Sequence, residues 1–424
     1  MVRKLLVSIT CILLFSVNSF SQHVAHIKLI NKTSLQRVDE LVIIDRAYIE
    51  KKLGHLPPGK FVQFMFAGDP VTVQFDDMDR DGKWDQVVML ESFEPREKKQ
   101  FNIRITDTFL NNNIPTRAQV RQMRKNEQDK FGEDLERDSI PAGQAPTNFG
   151  KQPLPPFLTE GPAWENDKVG FRIYFDTRNT KDIWGKTTSD MVLDWVGADP
   201  SLHYHELADW GMDILAVGQS LGAGSLALHI SDQQRDTMIR LGGRNMGKVI
   251  YEKVADGPLR AVFRLTYPQW KPMEGMEPVK LVEEIQVWGG QFFYSGKVWV
   301  ENAPSHAKLT IGMVNLKSKS MYELNKKKVK GMYSFDRQSE NGDNLGMAIL
   351  LDKKQFHSSG KTANKDTDVR NTYYVDAHIP PGHPVTYRFY AGWERTSGRF
   401  KSLASFQDFI KDEALRFQQP LKLR

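Results

Sequence analysis

Cysteine is nearly absent from this sequence. Cys11 is the single cysteine of 424 residues, and it lies in an N-terminal apolar run that we expect to be removed. A disulfide needs two thiols, and a thiol nucleophile needs one in the folded chain. Disulfide bonds and cysteine catalysis are therefore excluded for the mature protein.

Long hydrophobic runs are also missing beyond the N-terminus. Arg3 and Lys4 precede the apolar run Leu5–Val17, which is shorter than the ~20 residues that span a bilayer. Small serines follow this run, which predicts a secretory signal peptide over residues 1–21 that is cleaved before Gln22. We therefore expect a periplasmic or extracellular protein without a membrane span.

The chain has neither an internal repeat nor a concentrated positive charge. The formal net charge of +6 indicates either simple solubility or attraction to an anionic ligand. The basic clusters Arg96–Lys99 and Lys326–Lys330 are small and far apart, so nucleic acid is not an expected partner. The missing repeat argues against a propeller, which is the alternative β architecture.

Short alternating segments separated by polar, glycine or proline turns predict a mainly β protein. With few helices and 11% aromatic residues, we expect a large antiparallel β-sandwich. Residues 22–106 form a predicted N-terminal β unit, and residues 159–424 form the predicted catalytic sandwich. The strands predicted in the N-terminal unit are His26–Ile30, Glu40–Ile44, Phe61–Phe66, Val71–Phe75, Gln86–Leu90 and Gln100–Ile105.

Residues 107–158 differ in composition from the segments on either side. The highly charged stretch Thr116–Arg137 predicts a solvated helix, and Ile140–Pro156 predicts an extended linker because it is rich in proline, glycine and amides. We expect this segment to connect two β domains.

Two further elements are predicted in the sandwich. Val279–Asn302 is typical of a hairpin, and Gly289-Gly290 supplies its turn. The chain should close with a helix capped by Ser405, since Asp408 stands three residues further on, as in a capping box.

An aspartate-rich loop follows the fourth predicted strand, with the spacing D-x-D-x-D-G-x-x-D. Alternate carboxylates converge on a hard cation, and Gly82 permits a sharp turn. Strands flank the loop and its twelfth position is Val88, so it is not an EF-hand. We expect structural calcium there, and a solvated acidic hairpin is the alternative. The predicted ligands are Asp77, Asp79, Asp81 and Asp85 through carboxylates and Lys83 through its carbonyl.

The stretch from Trp164 to Gly224 concentrates costly polar groups on predicted strands. In FRIYFD, Arg172, Tyr174 and Asp176 alternate with apolar residues, which places them on one face of a strand. An ordinary solvent-facing strand surface is the alternative. Aromatic, amide and cationic side chains suit a sugar ligand, and the neighbouring candidates are Trp164, Asn166 and Lys168.

A second cluster follows at residues 203–213. His203 and His205 share a face if this segment is extended, and histidine transfers protons near neutral pH. Packing histidines or a zinc site with Glu206 are alternatives, although the spacing supplies no further zinc ligand. Tyr204, Trp210 and Asp213 complete the cluster.

Two other features of the sandwich sequence bear on the site. Glu283 lies among apolar residues on a predicted strand, and a carboxylate there must be paired or used. Gly218, Gly222 and Gly224 match neither a dinucleotide nor a P-loop pattern. They predict a tight turn, and we expect no organic cofactor.

Four segments together resemble one family of secreted bacterial proteins, the domain-of-unknown-function family 4861. These are WENDKVGFRIY, the YHE…WGMDILAVGQSLGAGS stretch, DMDRDGKWD and the C-terminal YAGWER. The resemblance implies a galactose-mutarotase-like β-supersandwich behind an N-terminal β unit. It also implies elimination chemistry on uronic-acid oligosaccharides, with Tyr204, His205, Gly211 and Asp213 at family positions. The chain departs from the family pattern at Asp209 or Trp210 and at Ala223.

These observations lead to a hypothesis of β-elimination on an acidic oligosaccharide, by a dehydratase or a lyase. Arg172 would neutralise the substrate carboxylate, with Asn166 or Lys168 assisting. His205 would remove a proton, and Tyr204 or His203 would protonate the departing oxygen. The alternatives are a glycoside hydrolase using Glu206 and Glu283, and a non-catalytic oligosaccharide-binding protein. The sequence does not indicate the oligomeric state.

Overall fold

The computed structural model describes residues 24–108, 114–231, 236–363 and 367–424. Within these ranges the protein consists mostly of antiparallel strands, which confirms the predicted mainly β class with a large sandwich, a small N-terminal unit and a C-terminal helix. The predicted signal peptide, residues 1–21, lies outside the described residues. No helix in the described part of the chain has the length and apolar character to cross a membrane.

The N-terminal unit contains two small sheets, with strand orders β27-β1-β7-β3-β4 and β2-β6-β5. Their inward faces enclose a core that includes Ile27, Phe64 and Ile103. Of the six predicted strands, Phe61–Phe66 is correct to the residue. The strands are β1 (Val24–Ile30), β2 (Arg37–Asp45), β3 (Phe61–Phe66), β4 (Asp69–Pro70), β5 (Gln74–Asp76), β6 (Gln86–Phe93), β7 (Lys98–Thr106) and the distant β27 (Lys422–Leu423).

One helix of this unit was not predicted. Helix α1 (Arg46–Leu53) buries Ile49 and Leu53, four residues apart on one face. Its exposed side carries an ion pair between Arg46 and Glu50, 3.1 Å from Nε to Oε1. The apolar spacing in this stretch is too short to stand out in a sequence otherwise made of strands.

The predicted helix over Thr116–Arg137 is wrong. The segment begins with strand β8 (Ala118–Arg121), and strand β9 (Arg137–Ile140) follows. The charges in this segment make specific pairs, such as Arg124 with Asp138 at 2.6 Å. Residues 141–156 contain neither helix nor strand, as expected of the extended linker.

The large domain is built from three sheets, with strand orders β21-β22-β23-β26-β19-β18-β17-β16-β9, β15-β14-β20-β25-β24 and β13-β12-β11-β10-β8. The strands are β10 (Ala163–Asn166), β11 (Val169–Ile173), β12 (Lys181–Lys186), β13 (Gly211–Asp213), β14 (Ala223–Ser231), β15 (Asp236–Arg240), β16 (Val249–Asp256), β17 (Arg260–Trp270), β18 (Val279–Trp288), β19 (Phe293–Glu301), β20 (Ala307–Val314), β21 (Met321–Asn325), β22 (Val329–Asp336), β23 (Leu345–Asp352), β24 (Phe356–Lys361), β25 (Thr372–His378) and β26 (Val385–Trp393).

The nine-stranded sheet forms one layer of the sandwich, and the two five-stranded sheets pack against it. One continuous core joins the layers, for example through Ile285, Ile311 and Phe171. The predicted hairpin is confirmed as β18 and β19, which pair antiparallel across the turn at Gly289-Gly290. Inward-facing aliphatic and aromatic residues alternate along these strands, as a sandwich core requires.

The C-terminal helix α2 (Leu403–Gln418) packs on the outer face of the nine-stranded sheet and buries Phe406, Phe409 and Ile410. Its cap is Ser402, whose side chain accepts a hydrogen bond from the Ser405 amide at 3.2 Å. The predicted cap at Ser405 was therefore three residues too late, because an earlier serine had the same capping chemistry.

Candidate active site

Arg172 lies in the middle of strand β11, and the whole strand is buried. The prediction of two opposite faces is correct, and the alternative of an ordinary solvent-facing strand surface is excluded by this burial. Tyr174 and Asp176 follow β11 and are also buried. Polar groups in such a place require partners, because an unpaired buried charge is destabilising.

The partners of Arg172 come from the next two strands of the sheet. Its Nη2 donates to Oδ2 of Asp182 at 2.9 Å and to Oδ2 of Asp213 at 2.6 Å. It also donates to the hydroxyl of Tyr174 at 2.9 Å. Asp182 stands directly opposite Arg172 in the β11–β12 ladder, and Asp213 stands opposite Trp184 in the β12–β13 ladder. The fold itself therefore brings these charges together.

The Arg172 side chain is only 1% exposed, and its bonds leave no free side toward solvent. The prediction that Arg172 contacts a substrate carboxylate is therefore wrong. Its position behind two carboxylates is that of a residue which holds other groups in place.

His205 and Tyr204 lie in front of this buried cluster. The Asp213 amide donates to the Tyr204 carbonyl at 2.8 Å, which ties the loop of residues 187–210 to β13. Nδ1 of His205 is 3.5 Å from Oδ2 of Asp213, and the histidine side chain is 64% exposed. The rings of Tyr204 and His205 are 4.6 Å apart, so both can reach one ligand.

Residues 203–206 are not extended, so the condition under which His203 and His205 would share a strand face is not met. The segment is a turn, closed by the Glu206 amide donating to the His203 carbonyl at 3.0 Å. The turn provides the bend that Tyr204 and His205 need to act on one substrate. His203 is exposed and lies outside the contacts that join His205 to Asp213.

Burial and the nearby Arg172 charge lower the pKa of His205 below its ordinary value. Burial raises the pKa of Tyr204. Burial and the like charge of Asp182 raise the pKa of Asp213 well above its ordinary value, and Arg172 opposes them. At neutral pH the site therefore offers a neutral imidazole that accepts a proton beside a phenol that retains one.

Glu160 was missed by sequence reasoning. Its Oε1 is 2.6 Å from Nη2 of Arg178, and its Oε2 is 3.8 Å from Nη1 of Arg172. Glu160 and the preceding Thr159 have φ angles of 67° and 48°, a left-handed conformation that costs energy for residues other than glycine. No spacing in the sequence signals this turn.

Arg121 holds the strained turn from behind. The guanidinium donates to the Leu158 carbonyl at 2.8 Å and to the Thr159 hydroxyl at 2.9 Å. A further bond reaches the Leu193 carbonyl at 2.9 Å. Burial lowers the pKa of Arg121 to about 10, so the group stays charged at neutral pH. These bonds offset the strain that places Glu160 beside Arg172.

The prediction that Trp164 binds a sugar ligand is wrong. It is buried in the core against Phe171 and Phe263, so no sugar can stack on it. Trp210 is half-buried beside Trp184, with ring centroids 5.9 Å apart. Trp195, which sequence reasoning missed, is 48% exposed and contacts Trp210 edge-on at 6.3 Å.

Asn166 and Lys168 lie away from the His205 cluster. Asn166 is fully buried, and its Nδ2 donates to the carbonyls of Trp288 and Gln291 at 2.7 and 2.8 Å. This pattern is that of a structural turn residue. Lys168 lines a separate cavity that also contains Arg416. The prediction that Asn166 binds the substrate is therefore wrong, because the side chain is buried and paired. A substrate-binding role of Lys168 stays a prediction.

Glu283 is completely paired in the sandwich core. Its Oε1 lies 2.8 Å from Nζ of Lys181 and 2.6 Å from the Tyr387 hydroxyl. Glu206 is exposed on the loop. The two carboxylates cannot flank one glycosidic bond, so the predicted hydrolase pair and the substrate-binding role of Glu283 are wrong.

The predicted glycine turn is present before β14. Gly218, Gly222 and Gly224 have φ angles of 52°, 49° and 90°, which only glycine adopts without strain. A side chain at Gly222 would collide with the Lys181 carbonyl. The turn therefore allows close approach between two parts of the protein backbone.

The aspartate loop lies between β5 and β6. Among the described residues, carboxylate oxygens of Asp77, Asp79 and Asp85 converge within 4.8 Å of one another. Asp81 instead accepts a hydrogen bond from the Lys83 amide at 2.8 Å. Gly82 has a φ of 87°, as the predicted sharp turn requires. Three converging carboxylates fit a hard cation.

The loop also contacts the sandwich. Arg80 donates from Nη1 to the Lys253 carbonyl at 2.9 Å, and Arg264 donates to the Met78 carbonyl at 3.3 Å. Asp76, just before the loop, accepts a bond from Nε of Arg260 at 2.9 Å. Ordering the loop would therefore stabilise the contact between the N-terminal unit and the sandwich.

We expect calcium to raise the melting temperature of the protein relative to EDTA, because a ligand that binds only the folded state stabilises it by about 2.7 kcal/mol at 100 times its Kd. Thermal unfolding with calcium and with EDTA measures this. Asp79→Asn should abolish the response, whereas Asp69→Asn, an exposed aspartate outside the cluster, should retain it. Superimposable melting curves for the parent protein in calcium and EDTA would contradict the prediction.

A protein-family model described as a domain of unknown function, DUF4861, matches residues 29–423. The uncharacterised protein P7 of Formosa agariphila is 23% identical over 411 residues, which cover 93% of this chain and 91% of that protein.

Two solved structures share the fold. An α-mannosidase from Enterococcus faecalis V583 matches with a TM-score of 0.51 and 9% identity, over 95% of this chain and 46% of that one. A glycosyl hydrolase family 38 protein from Enterococcus faecalis matches with a TM-score of 0.50 and 10% identity, over 95% and 47%. The chain thus spans about half the length of these structures, and the likeness concerns the fold alone. Since the family match covers nearly all of the sequence, the protein belongs to the DUF4861 family.

Proposed function

We propose that this protein is a carbohydrate-active enzyme that performs β-elimination on uronic-acid-containing oligosaccharides. The observation that carries the proposal is the exposed His205 backed by the buried Asp213, with Tyr204 beside it. A neutral imidazole held beside Asp213 can serve as a general base, and an adjacent phenol that keeps its proton can serve as a general acid. The two solved structures that share the fold are described as an α-mannosidase and a glycosyl hydrolase family 38 protein, which supports a carbohydrate as the substrate.

In the proposed reaction, His205 removes the proton on C5 of the uronic acid. The electron pair of the broken C–H bond forms the C4=C5 double bond, and the C4–O bond breaks. Tyr204 donates its proton to the departing oxygen, and His203 is the alternative donor on the same turn. If the departing group is water, the enzyme is a dehydratase. If it is a sugar, the enzyme is a lyase.

Arg172 has an indirect part in this proposal. It binds Asp213, which lies behind His205, and its guanidinium stands 5.5 Å from the centre of the Tyr204 ring. Its charge favours the neutral form of His205, as a base requires. Arg172 is therefore a positioning residue.

The protein would work in the periplasm or outside the cell, after removal of residues 1–21. An acidic oligosaccharide is its proposed partner, and calcium at the aspartate loop is its proposed structural ion. Neither nucleic acid nor an organic cofactor has a place in this mechanism.

Trp195 is the proposed sugar-stacking residue. Because stacking contributes to binding of both substrate and transition state, Trp195→Ala should raise KM several-fold and leave kcat nearly unchanged. Steady-state kinetics on a converted oligosaccharide measures this split. Phe149→Ala removes another exposed aromatic ring and serves as the control. A Trp195→Ala enzyme with the parent KM would exclude the stacking role.

The reaction class is tested by incubating the protein with uronic oligosaccharides made by polysaccharide lyases and following the products by mass spectrometry. Loss of one water supports a dehydratase, and a new chain break with an unsaturated end supports a lyase. A chain break with addition of water would instead support a hydrolase. Binding without conversion would support the non-catalytic alternative and contradict the proposal.

A further inference from the structure

Arg178, which contacts the Tyr174 ring of the buried Arg172 cluster, also lines a basic cavity of about 420 Å³. Its described lining contains three arginines, Arg178, Arg240 and Arg370, and one carboxylate, Asp368. The described lining carries more positive than negative groups, and an excess of one sign of charge raises the local concentration of the opposite ion. The cavity is therefore suited to an anion.

Arg240 lines the cavity with a guanidinium that is bonded only to neutral oxygens among the described residues. Its Nη1 donates to the Thr180 hydroxyl at 3.1 Å and to the Ser220 carbonyl at 3.0 Å, and its Nη2 donates to the Gln219 carbonyl. These partners are neutral oxygens. Asp368 bonds to the Arg240 backbone amide at 2.8 Å, so no described carboxylate is bonded to its guanidinium. Three oxygens thus fix the orientation of a charge that they do not cancel.

Arg178 forms the wall between this cavity and the active site. It is paired with Asp176 and Glu160, and its guanidinium lies 3.9 Å from the centre of the Tyr174 ring. The Tyr174 hydroxyl in turn accepts a bond from Arg172 at 2.9 Å. A chain of side-chain contacts through Tyr174, Arg172 and Asp213 thus connects Arg178 with His205. An oligosaccharide that uses the cavity would have to extend to it from His205.

Arg370 adds an exposed guanidinium to the cavity. Its Nε donates to the Thr367 carbonyl at 3.3 Å. Arginine retains its charge at all physiological pH values and binds oxyanions through paired N–H donors. Because it lies at the surface, Arg370 can be changed without disturbing the core.

We propose that the cavity formed by Arg178, Arg240 and Arg370 is a subsite for an oxyanionic substituent, a carboxylate or a sulfate, of the oligosaccharide that reacts at His205. The inference rests on the proposed function for the identity of the ligand. It reassigns recognition of the acidic group from the buried Arg172 to a cavity that is open to it.

The first experiment measures anion binding and needs no turnover. Sodium sulfate and sodium glucuronate are titrated into the full protein at constant ionic strength, and the melting temperature is followed against sodium chloride. We expect at least one oxyanion to raise the melting temperature of the parent protein and of Arg137→Gln, a control that removes an arginine from the exposed edge strand β9. Arg370→Gln and Arg240→Gln should lose most of this response. Comparison of the two salts identifies the preferred anion.

The second experiment uses an acidic oligosaccharide that the parent enzyme converts. Arg370→Gln should raise KM by about tenfold with kcat nearly unchanged, since ground-state and transition-state binding are lost equally. The KM for the carboxyl-reduced, unsulfated form of the same oligosaccharide should not respond to the substitution.

A parent protein that responds to neither oxyanion would overturn the subsite. So would an Arg370→Gln protein that responds as Arg137→Gln does, whatever the behaviour of Arg240→Gln. Failure of the proposed function appears differently, as binding of oxyanions by a protein that converts no oligosaccharide. The two inferences are therefore separable.

Discussion

The His205→Ala enzyme should lose at least ~10²-fold in kcat while KM and the melting temperature stay near those of the parent. A general base acts in the transition state and contributes little to ground-state binding. The side chain is largely exposed, so its removal leaves little void. Single-turnover rates and thermal unfolding, measured on the same preparation, check this.

The pH dependence of activity in the parent enzyme should reflect the ionisation of His205. A base must be unprotonated, so activity should rise with pH as His205 loses its proton. Burial and Arg172 lower the pKa of His205, which places this rise below the ordinary histidine value of ~6.5. The rise should be absent from the residual activity of His205→Ala.

His203→Ala is the matched control for His205→Ala. It removes an exposed histidine from the same turn but no contact with Asp213, so base catalysis should survive. A folded His205→Ala protein that converts substrate at the parent rate would remove His205 from the mechanism. Loss of activity in His203→Ala alone would assign the proton transfer to that residue.

Arg172→Met should destabilise the protein by about 3–5 kcal/mol, the usual cost of removing one partner from a buried ion cluster. Asp182 and Asp213 would remain buried without their shared cation. Chemical denaturation measures the free energy of unfolding. Arg395→Met, which breaks a more exposed pair with Asp343, should change it by less than about 1 kcal/mol.

Arg172→Lys distinguishes the charge from the geometry. Lysine keeps the charge but offers one ammonium group in place of the planar set of Nε, Nη1 and Nη2 donors, which reach separate acceptors around Arg172. We expect a stability between those of the parent and Arg172→Met. An Arg172→Met protein as stable as the parent would contradict the assignment of Arg172 as the centre of the buried cluster.

The fold followed from the sequence wherever period-two alternation was strong. The β18–β19 hairpin was predicted by its alternation and its Gly289-Gly290 turn. The charged stretch Thr116–Arg137 was wrongly predicted to be a helix. Charge density alone does not distinguish a solvated helix from an irregular segment whose charges form tertiary ion pairs. The Arg124–Asp138 bond links positions that spacing does not relate.

Only part of the candidate site was predicted, because the sequence shows where polar groups are dense but not how deeply they are buried. Local density of polar groups drew attention to Arg172, Tyr204, His205 and Asp213, which lie together in the structure. The density of polar groups could not reveal how deeply these side chains are buried, because a strand buried on both faces can show the same alternation as a strand at the surface. The predicted binding roles of Trp164 and Glu283 were wrong because both side chains are buried. Trp195 was missed because its exposure depends on the conformation of its loop.

One partner was recoverable from sequence. Pairing the strand FRIYF with the following KDIWGK as a hairpin places Asp182 opposite Arg172, as the ladder shows. Glu160 was not recoverable, since its contact with Arg178 depends on the left-handed turn at Thr159 and on Arg121 beneath it.

Strand β27, from the C-terminal end of the sequence, covers the edge of β1 in the sheet of the N-terminal unit. Leu29 stands opposite Leu423 in the sheet, and the amides of Lys28 and Arg424 donate to each other's carbonyls at 2.9 Å. A fragment ending at residue 106 would leave the edge of β1 open to other chains. The unit is therefore not a transferable module. Grafting it onto another protein, or expressing it alone, would require the segment around residue 423 to travel with it.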